Sequence, residues 1–440
     1  LKYWLAALLL QPAAAPPADT PPGAAAEHWL ITTDMWGNRL YEAMTLRRDG
    51  ESLTGDVDGD PLAGTMRGDT LDFTVTGASG GTLHFTGTLA GDTLRGDVDR
   101  PANDTRARHD FTARRLPERP AGGPRTYDFA PTDFSNLFTA DRAPVLTVWP
   151  GDTIRTQTID SGGVDANGAT RALYGNPQTG PFFIAGAAPG DTLVVRIDRL
   201  RPNRDWADSL DMIVNRLQSR AMILADRELG RPVRWTIDRA HSRARPADPP
   251  ERLHDYSVPL RPMLGGIAVA PGFGFAPPST GDSGRYGGNM DFNEVIEGNI
   301  VYLPVQQPGA LLYVGDAHAA QGEGETSQFA LETSMDVTIT IDLIQGRSIV
   351  GPRVESPTHL MAIGQAGTME EATRLASSNL TQWLIQDYGL TLSETAQLLG
   401  SGAQFSIVTL AGRDIGMVAK FPKALLAGLT PRTRPNQARE

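Results

Sequence analysis

Between His28 and about Leu116 the chain breaks into short alternating runs: WLITTD, LYEAMTLRRDG, SLTGDVDG, PLAGTMRG, DTLDFTVTG, TLHFTGTLAG, DTLRGDV and DFTARRL. Turn residues recur about every 8–12 positions, which leaves room for strands joined by tight turns. A small antiparallel sheet or barrel is therefore expected here. The phrase Gly-Asp-Thr-Leu occurs twice, at Gly68 and Gly91. Its glycine supplies the turn conformation, and its Thr and Leu start the next strand. Totals of 47 Gly and 33 Pro, with aromatics at 7%, extend the preference for strands over helical bundles to the whole chain. Catalytic residue types do not gather in this segment. His28, His84 and His109 read as scattered surface or core residues, and a binding or structural role suits it better than chemistry.

A chain of 440 residues implies two or three domains. The net charge of −11 argues against a nucleic-acid partner, which needs a basic surface. With no cysteine, thiolate metal sites, disulfides and Cys nucleophiles are all excluded. Any metal must be held by carboxylates and the seven histidines, His28, His84, His109, His241, His254, His318 and His359. Near the start, one Lys precedes the apolar run YWLAALLL, and Ala13-Ala14-Ala15 follows. That layout is expected of a secretory signal, too short for a membrane span, and points to a secreted or periplasmic protein. The alternative is an Ala/Pro tail on a cytoplasmic protein.

The expected organisation is a signal-like segment and Ala/Pro linker over 1–26, the small β-domain over 27–116 and a linker over 117–126. A mainly β domain over 127–430 follows, with an α+β closing part from about 352 and a disordered tail over 431–440. In the larger domain Pro-Gly-Asp twice precedes a β-branched run, a turn feeding a strand. WADSLDMIVNRLQSRAMILADRELG, near residues 206–230, is expected to be more helical. Thr368-Met-Glu-Glu371 and Thr391-Leu-Ser-Glu394 read as capping boxes. Ala372, Leu375, Ala376, Leu380, Trp383 and Leu384 give the first helix one apolar face, and Gly389 ends it. The second helix is expected to end at Gly400.

The stretch most suited to chemistry is LLYVGDAHAAQGEGE, where an apolar strand runs into Asp316 and His318. Residues i and i+2 of an extended chain share a face, so this carboxylate and imidazole can reach one point. Together they make half of a hard-metal or zinc site. Gln321, Glu323 and Glu325 follow among glycines, in a loop able to close around an ion or small ligand. The alternative is a polar surface turn. GRYGGNMD repeats the texture with Asn289 and Asp291, again as a site or an ordinary turn. TIDSGG ends a strand near Asp160, and Glu332 starts another.

These phrases also stand in a telling order. NPQTGPFFIAGAAPGDTLVVRI, PMLGGIAVAP, RYGGNMD, IVYLPVQQPGALLYVGDAHAAQGEGE, LETSMDVTI and IQDYGLTLSETAQLLG together resemble the acetamidase/formamidase family of amide hydrolases, over roughly residues 128–425. The small β-domain lies outside the resemblance. It implies a β-rich catalytic unit with an α+β C-terminal part that hydrolyses short aliphatic amides, formamide or acetamide, to ammonia and a carboxylate. It also implies a divalent metal, zinc first and calcium or another ion next, and a chain that self-associates. Asp316, His318, Gln321, Glu325, Asn289, Asp291 and Glu332 fall on matching motif positions, and Asp160 matches a family Asp at the end of the early strand. Three positions depart from the pattern. Tyr286 replaces the His before Gly-Gly-Asn, Ala317 the Gly between Asp and His, and Glu323 the Asp of QGDGE.

A hydrolytic scheme follows. Asp316 and His318, with Asp160, Asp291 or Glu332, hold the ion, which activates water and polarises the carbonyl. Glu325 or Glu323 takes the water's proton and returns it to the departing amine. Asn289, the backbone N–H groups of Gly287 and Gly288, and Gln321 face the oxyanion. Serine and cysteine nucleophile schemes find less support. Two other readings stand beside it: a binding protein on the same fold, and a hydrolase of a larger amide.

Overall fold

The computed structural model describes residues 25–225 and 230–432. The signal-like segment, nearly all of the first linker and most of the C-terminal tail lie outside the described residues. The chain forms two compact units, one built on Met44–Leu116 with the chain up to Ile31, the other on Pro117–Glu440 together with Thr32–Ala43. Among the described residues, no helix is long and apolar enough to cross a membrane.

Eight strands between Glu27 and Arg115 close into an antiparallel barrel in simple up-and-down order. Alternation drives it: Leu71, Phe73 and Val75 of the strand Thr70–Thr76 are buried, and the residues between them face out. The interior is filled by side chains, with Phe73 and Phe85 stacked at 4.8 Å and Phe111 edge-on to Phe85. Both Gly-Asp-Thr-Leu phrases make two-residue hairpins, closed by the pairs Arg67–Thr70 and Ala90–Thr93. Gly68 and Gly91 take φ of 61° and 60°, as the first turn position demands. His28 is exposed, His84 pairs with Asp72, and His109 is buried, so the three stay apart.

The larger unit is built on two sheets of eleven and nine strands. Their facing sides share one core, where Leu264, Ile267 and Val314 of the first meet Leu193, Val195 and Ile339 of the second. On the back of the nine-stranded sheet lies the helix Met369–Tyr388, whose Ala372, Ala376, Leu380, Trp383 and Leu384 join a second core with Leu360 and Phe421. Leu375, expected on that apolar face, is 43% exposed because it sits at its margin.

Two local expectations need correction. The segment read as helical opens instead with the strand Trp206–Leu210, paired to Pro232–Asp238. Ala207 and Ser209 alternate inward there, and helix is confined to a short turn and Arg220–Ala225. The period was two, not 3.6. At Thr368 half of the capping box forms: its hydroxyl accepts from Glu371 N, and the Glu371 carboxylate turns to Arg374. The Thr391–Glu394 box is complete, and its helix runs to Gly402.

The strand His359–Ala366 approaches the long helix through Gly364, where a Cβ would strike Ala372 O and Ala376 N, both backbone atoms. Gly364→Ala is therefore expected to destabilise the larger unit by about 2 kcal/mol or more. Gly367→Ala, with open space around it, should stay within about 0.5 kcal/mol. Thermal melting of the two variants checks the difference.

Candidate active site

The strand Leu312–His318 is buried throughout and lies in the middle of the eleven-stranded sheet. Along one side it follows the strand Met263–Ala268. On its other side the neighbour changes: Gln178–Ile184 pairs with it up to Gly315, and Glu332–Thr333 takes over from Ala317. Asp316 falls at the changeover, with φ of 52°. The site opens where these strands part.

His318 is the hub. Its Nε2 lies 3.5 Å from Asp316 Oδ1 and 3.2 Å from Glu332 Oε1, the residue opposite it in register. Gln321 Nε2 donates to Asp291 O at 2.6 Å, so Gln321 Oε1 is the acceptor for His318 Nδ1–H at 2.8 Å. That bond fixes the ring and leaves Nε2 facing the carboxylates. Asp291 and Glu325 complete a second group around the same imidazole, with ligand atoms all within 4.8 Å of one another.

Other side chains set the carboxylates in place. Asn289 Nδ2 donates to Asp291 Oδ2 at 2.8 Å. Asn176 Nδ2 donates to Asn289 Oδ1 at 2.7 Å and to Asp316 Oδ2 at 3.2 Å. Thr409 Oγ1 donates to Glu325 Oε2 at 3.2 Å. Gly265 forms the floor, since a Cβ there would stand 2.6 Å from both Asp291 Oδ1 and Asp316 Oδ2. Five of the eleven described non-glycine residues with positive φ, Asn176, Asp291, Asp316, Glu325 and Gln328, belong to this one site. Backbone strain of this kind gathers where tertiary structure enforces a functional geometry.

The electrostatics follow from burial. Desolvation first, then the neighbouring Asp316 charge, pushes the Asp291 carboxyl up to about 7. Burial first and then Asp291 raise Glu325 well above the ordinary range, and burial with Glu332 raises Asp316. For His318 burial works against the cation, but Glu332 and Asp316 outweigh it and hold the imidazole's pKa well above its usual value. Such a cluster calls for a compensating positive charge. Asp291 Oδ1, Asp316 Oδ1, His318 Nε2 and Glu332 Oε2 are buried without a hydrogen-bond partner. One imidazole nitrogen and several carboxylate oxygens form a donor set that fits a divalent cation. The cluster faces a cavity of about 200 Å³ lined also by Asn289, Tyr174 and Phe329.

The structure thus brings together Asp291, Asp316, His318, Glu325, Glu332, Asn289 and Gln321. It separates the other residues assigned from sequence. Asp160 lies outside both groups, bound through Oδ2 to Arg204 at 2.7 Å and through Oδ1 to Val164 N at 2.8 Å. Glu323 is exposed and pairs with Lys420 at 3.4 Å. Gly287 and Gly288 are strand residues, and glycine is required there because a Cβ would strike Ile267 O or Asp282 O. Gln321 orients His318 and does not line the cavity. Tyr286 packs its ring on Phe138 at 5.7 Å, outside the cavity lining. Asn176, Thr409, Gly265 and Arg204 were not singled out from sequence. Asn176 carries the one available signal, as an Asn suited to left-handed backbone inside a motif phrase.

Arg204 and Asp160 form a buried pair, with side chains 1% and 6% exposed. The guanidinium also bonds Glu332 O at 3.2 Å and lies 3.3 Å over the Trp206 ring, and so supports the cluster from behind. Arg204→Met is expected to cost about 3–5 kcal/mol by leaving Asp160 charged and unpaired. Arg204→Met with Asp160→Asn should recover part of that loss in chemical denaturation of the two variants.

Comparison with known proteins points the same way as the motif order. Residues 278–382 match the family model described as the acetamidase/formamidase family. An acetamidase of Yersinia enterocolitica is similar in structure, at 27% identity with 70% of this chain and 94% of the other covered and a TM-score of 0.60. An acetamidase of Bacillus halodurans, at 23% identity over 69% of this chain and 99% of its own with a TM-score of 0.59, shares the fold. A Schizosaccharomyces pombe protein named as an inferred formamidase is 39% identical over 75 residues, 17% of this chain and 18% of its own length. That match spans less than a fifth of the relative. Over residues 278–382 the chain thus matches the acetamidase/formamidase family, and its likeness in fold to solved acetamidases extends over about 70% of the chain.

Proposed function

We propose that this protein hydrolyses the C–N bond of carboxamides to ammonia and a carboxylate. The supporting observation is the convergence of four buried, unpartnered ligand atoms around His318, beside a small cavity lined by Asp316, Glu332, Glu325 and Asn289. Asp316, His318, Glu332 and Asp291 would hold a divalent ion, zinc being the first candidate for one imidazole among carboxylates. When bound, such an ion polarises the carbonyl and lowers the pKa of water.

The chain's own groups account for the remaining work. Asn289 Nδ2 carries two hydrogens, of which Asp291 Oδ2 takes one, so the other is available to the substrate's carbonyl oxygen. Glu325 is buried, and Thr409 steers one of its oxygens, so Glu325 accepts the proton of the attacking water. The water oxygen bonds the carbonyl carbon. Glu325 then delivers that proton to nitrogen as the C–N bond breaks, and ammonia departs. Gln321 keeps the His318 ring oriented throughout. Neither Tyr286 nor Glu323 takes a group out of the cluster, which favours a working hydrolase over a retired one.

Glu325→Gln should lower ammonia release from formamide or acetamide by about 10²–10⁴-fold, with melting and metal content unchanged. Full activity in that variant would remove the base role. Gln321→Leu should weaken divalent-metal affinity about 10–100-fold, read by competition with a chromogenic chelator. Strong chelation of the wild type should abolish ammonia release, and added zinc should restore it. Release that persists in metal-free protein would end the metal reading.

A further inference from the structure

The cavity is larger than the short amides need. Its volume of about 200 Å³ equals that of roughly six or seven waters. Asp316, Glu325, Glu332 and Asn289 make part of its lining polar. Another part of the lining has a different chemistry, where the rings of Tyr174 and Phe329 meet with centroids 6.1 Å apart and tilted by 58°. Gly175, Gly281, Ala411 and Gly412, which present almost no side chain, line the same cavity. A contacting pair of tilted rings beside bare backbone gives this slot an apolar wall.

Its walls are built in. Asn136 Nδ2 donates to Leu173 O at 3.1 Å and to Gly175 O at 3.3 Å, and Thr280 Oγ1 donates to Gly175 O at 2.7 Å. Tyr174 is therefore 66% exposed on a pinned backbone. Its hydroxyl finds no hydrogen-bond partner among the described residues, so its packing leaves the ring available. Next to the lining residues Ala411 and Gly412, Arg216 donates to the carbonyls of Leu410, Gly412 and Arg413 at 2.8, 2.6 and 2.6 Å. Val214 N donates to Thr326 O at 2.9 Å. Arg216 and Val214 both belong to the stretch near residues 206–230.

We propose, resting on the amide-hydrolase reading, that Tyr174 and Phe329 determine specificity by selecting amides that carry a flat apolar ring. An exposed aromatic face held in place gains most from a planar apolar surface laid against it. Formamide and acetamide reach the polar floor and leave both rings bare.

The test measures kcat/KM of the full, metal-loaded chain on acetamide, benzamide and acetanilide, in wild type, Tyr174→Ala and Phe329→Ala. One ring-bearing amide should exceed acetamide by about tenfold or more, and the ratio should fall by about tenfold in each variant. Preference for benzamide would put the ring on the acyl side, preference for acetanilide on the nitrogen side. Turnover of acetamide equal to or better than both, or a ratio unmoved by the variants, overturns the proposal and leaves the hydrolase reading standing. Calorimetric titration with benzamide separates the two readings. Binding that weakens in Phe329→Ala without any turnover keeps the slot and ends the hydrolase reading. No benzamide binding to folded, metal-loaded wild type ends the slot.

Discussion

Several carboxylates buried against one imidazole are the constraint around which the larger unit is arranged. Asp316 and Glu332 lie beside His318 Nε2, with Asp291 and Glu325 close by. In a low-dielectric interior like charges at this range repel strongly and cannot all stay ionised without a cation or shared protons. The surrounding structure holds them there regardless. Arg204 and Asp160 neutralise each other just behind, so that arginine adds support without placing free positive charge in the cluster.

Holding the acids together costs backbone energy. Asn176, Asp291, Asp316 and Glu325 all sit in the left-handed region, at about 1–3 kcal/mol for each non-glycine residue so strained. The sheets offset it, since the parting of strands at Asp316 is flanked by fully paired backbone and a shared apolar core. Gly265 and Gly315 let neighbouring groups close in: a Cβ at either would meet Asp291 and Asp316, or the Gln178 amide. Rigid sheets around a small strained centre give preorganisation, which catalysis of a stable bond such as an amide rewards.

The loops around this centre are firm as well. Arg216 ties the 410–413 segment, Thr409 reaches Glu325 from the adjoining residue, and Gly324 exchanges backbone bonds with Val408 and Leu410. One hydrogen-bonded unit therefore carries both Glu325 and the cavity wall. The β-barrel follows a simpler rule. Its aromatic interior is self-sufficient, and its histidines do not meet.

Much of this was legible in sequence because it depends on local chemistry. Alternation and turn residues foretold the barrel, and the capping residues and apolar spacing marked the two C-terminal helices. The i, i+2 spacing placed Asp316 and His318 on one face. The errors came from distance. Asp160 ends a strand in a family-like phrase, yet its partner is Arg204, forty-four positions on. Glu323 and Glu325 differ in sequence by one glycine, but one faces Lys420 at the surface and the other is buried beside Asp291. By itself the sequence determined which residues could act and which strands would carry them. Only the tertiary structure decided which acids meet, because that depends on strand partners drawn from hundreds of residues apart and on glycines that leave room for them.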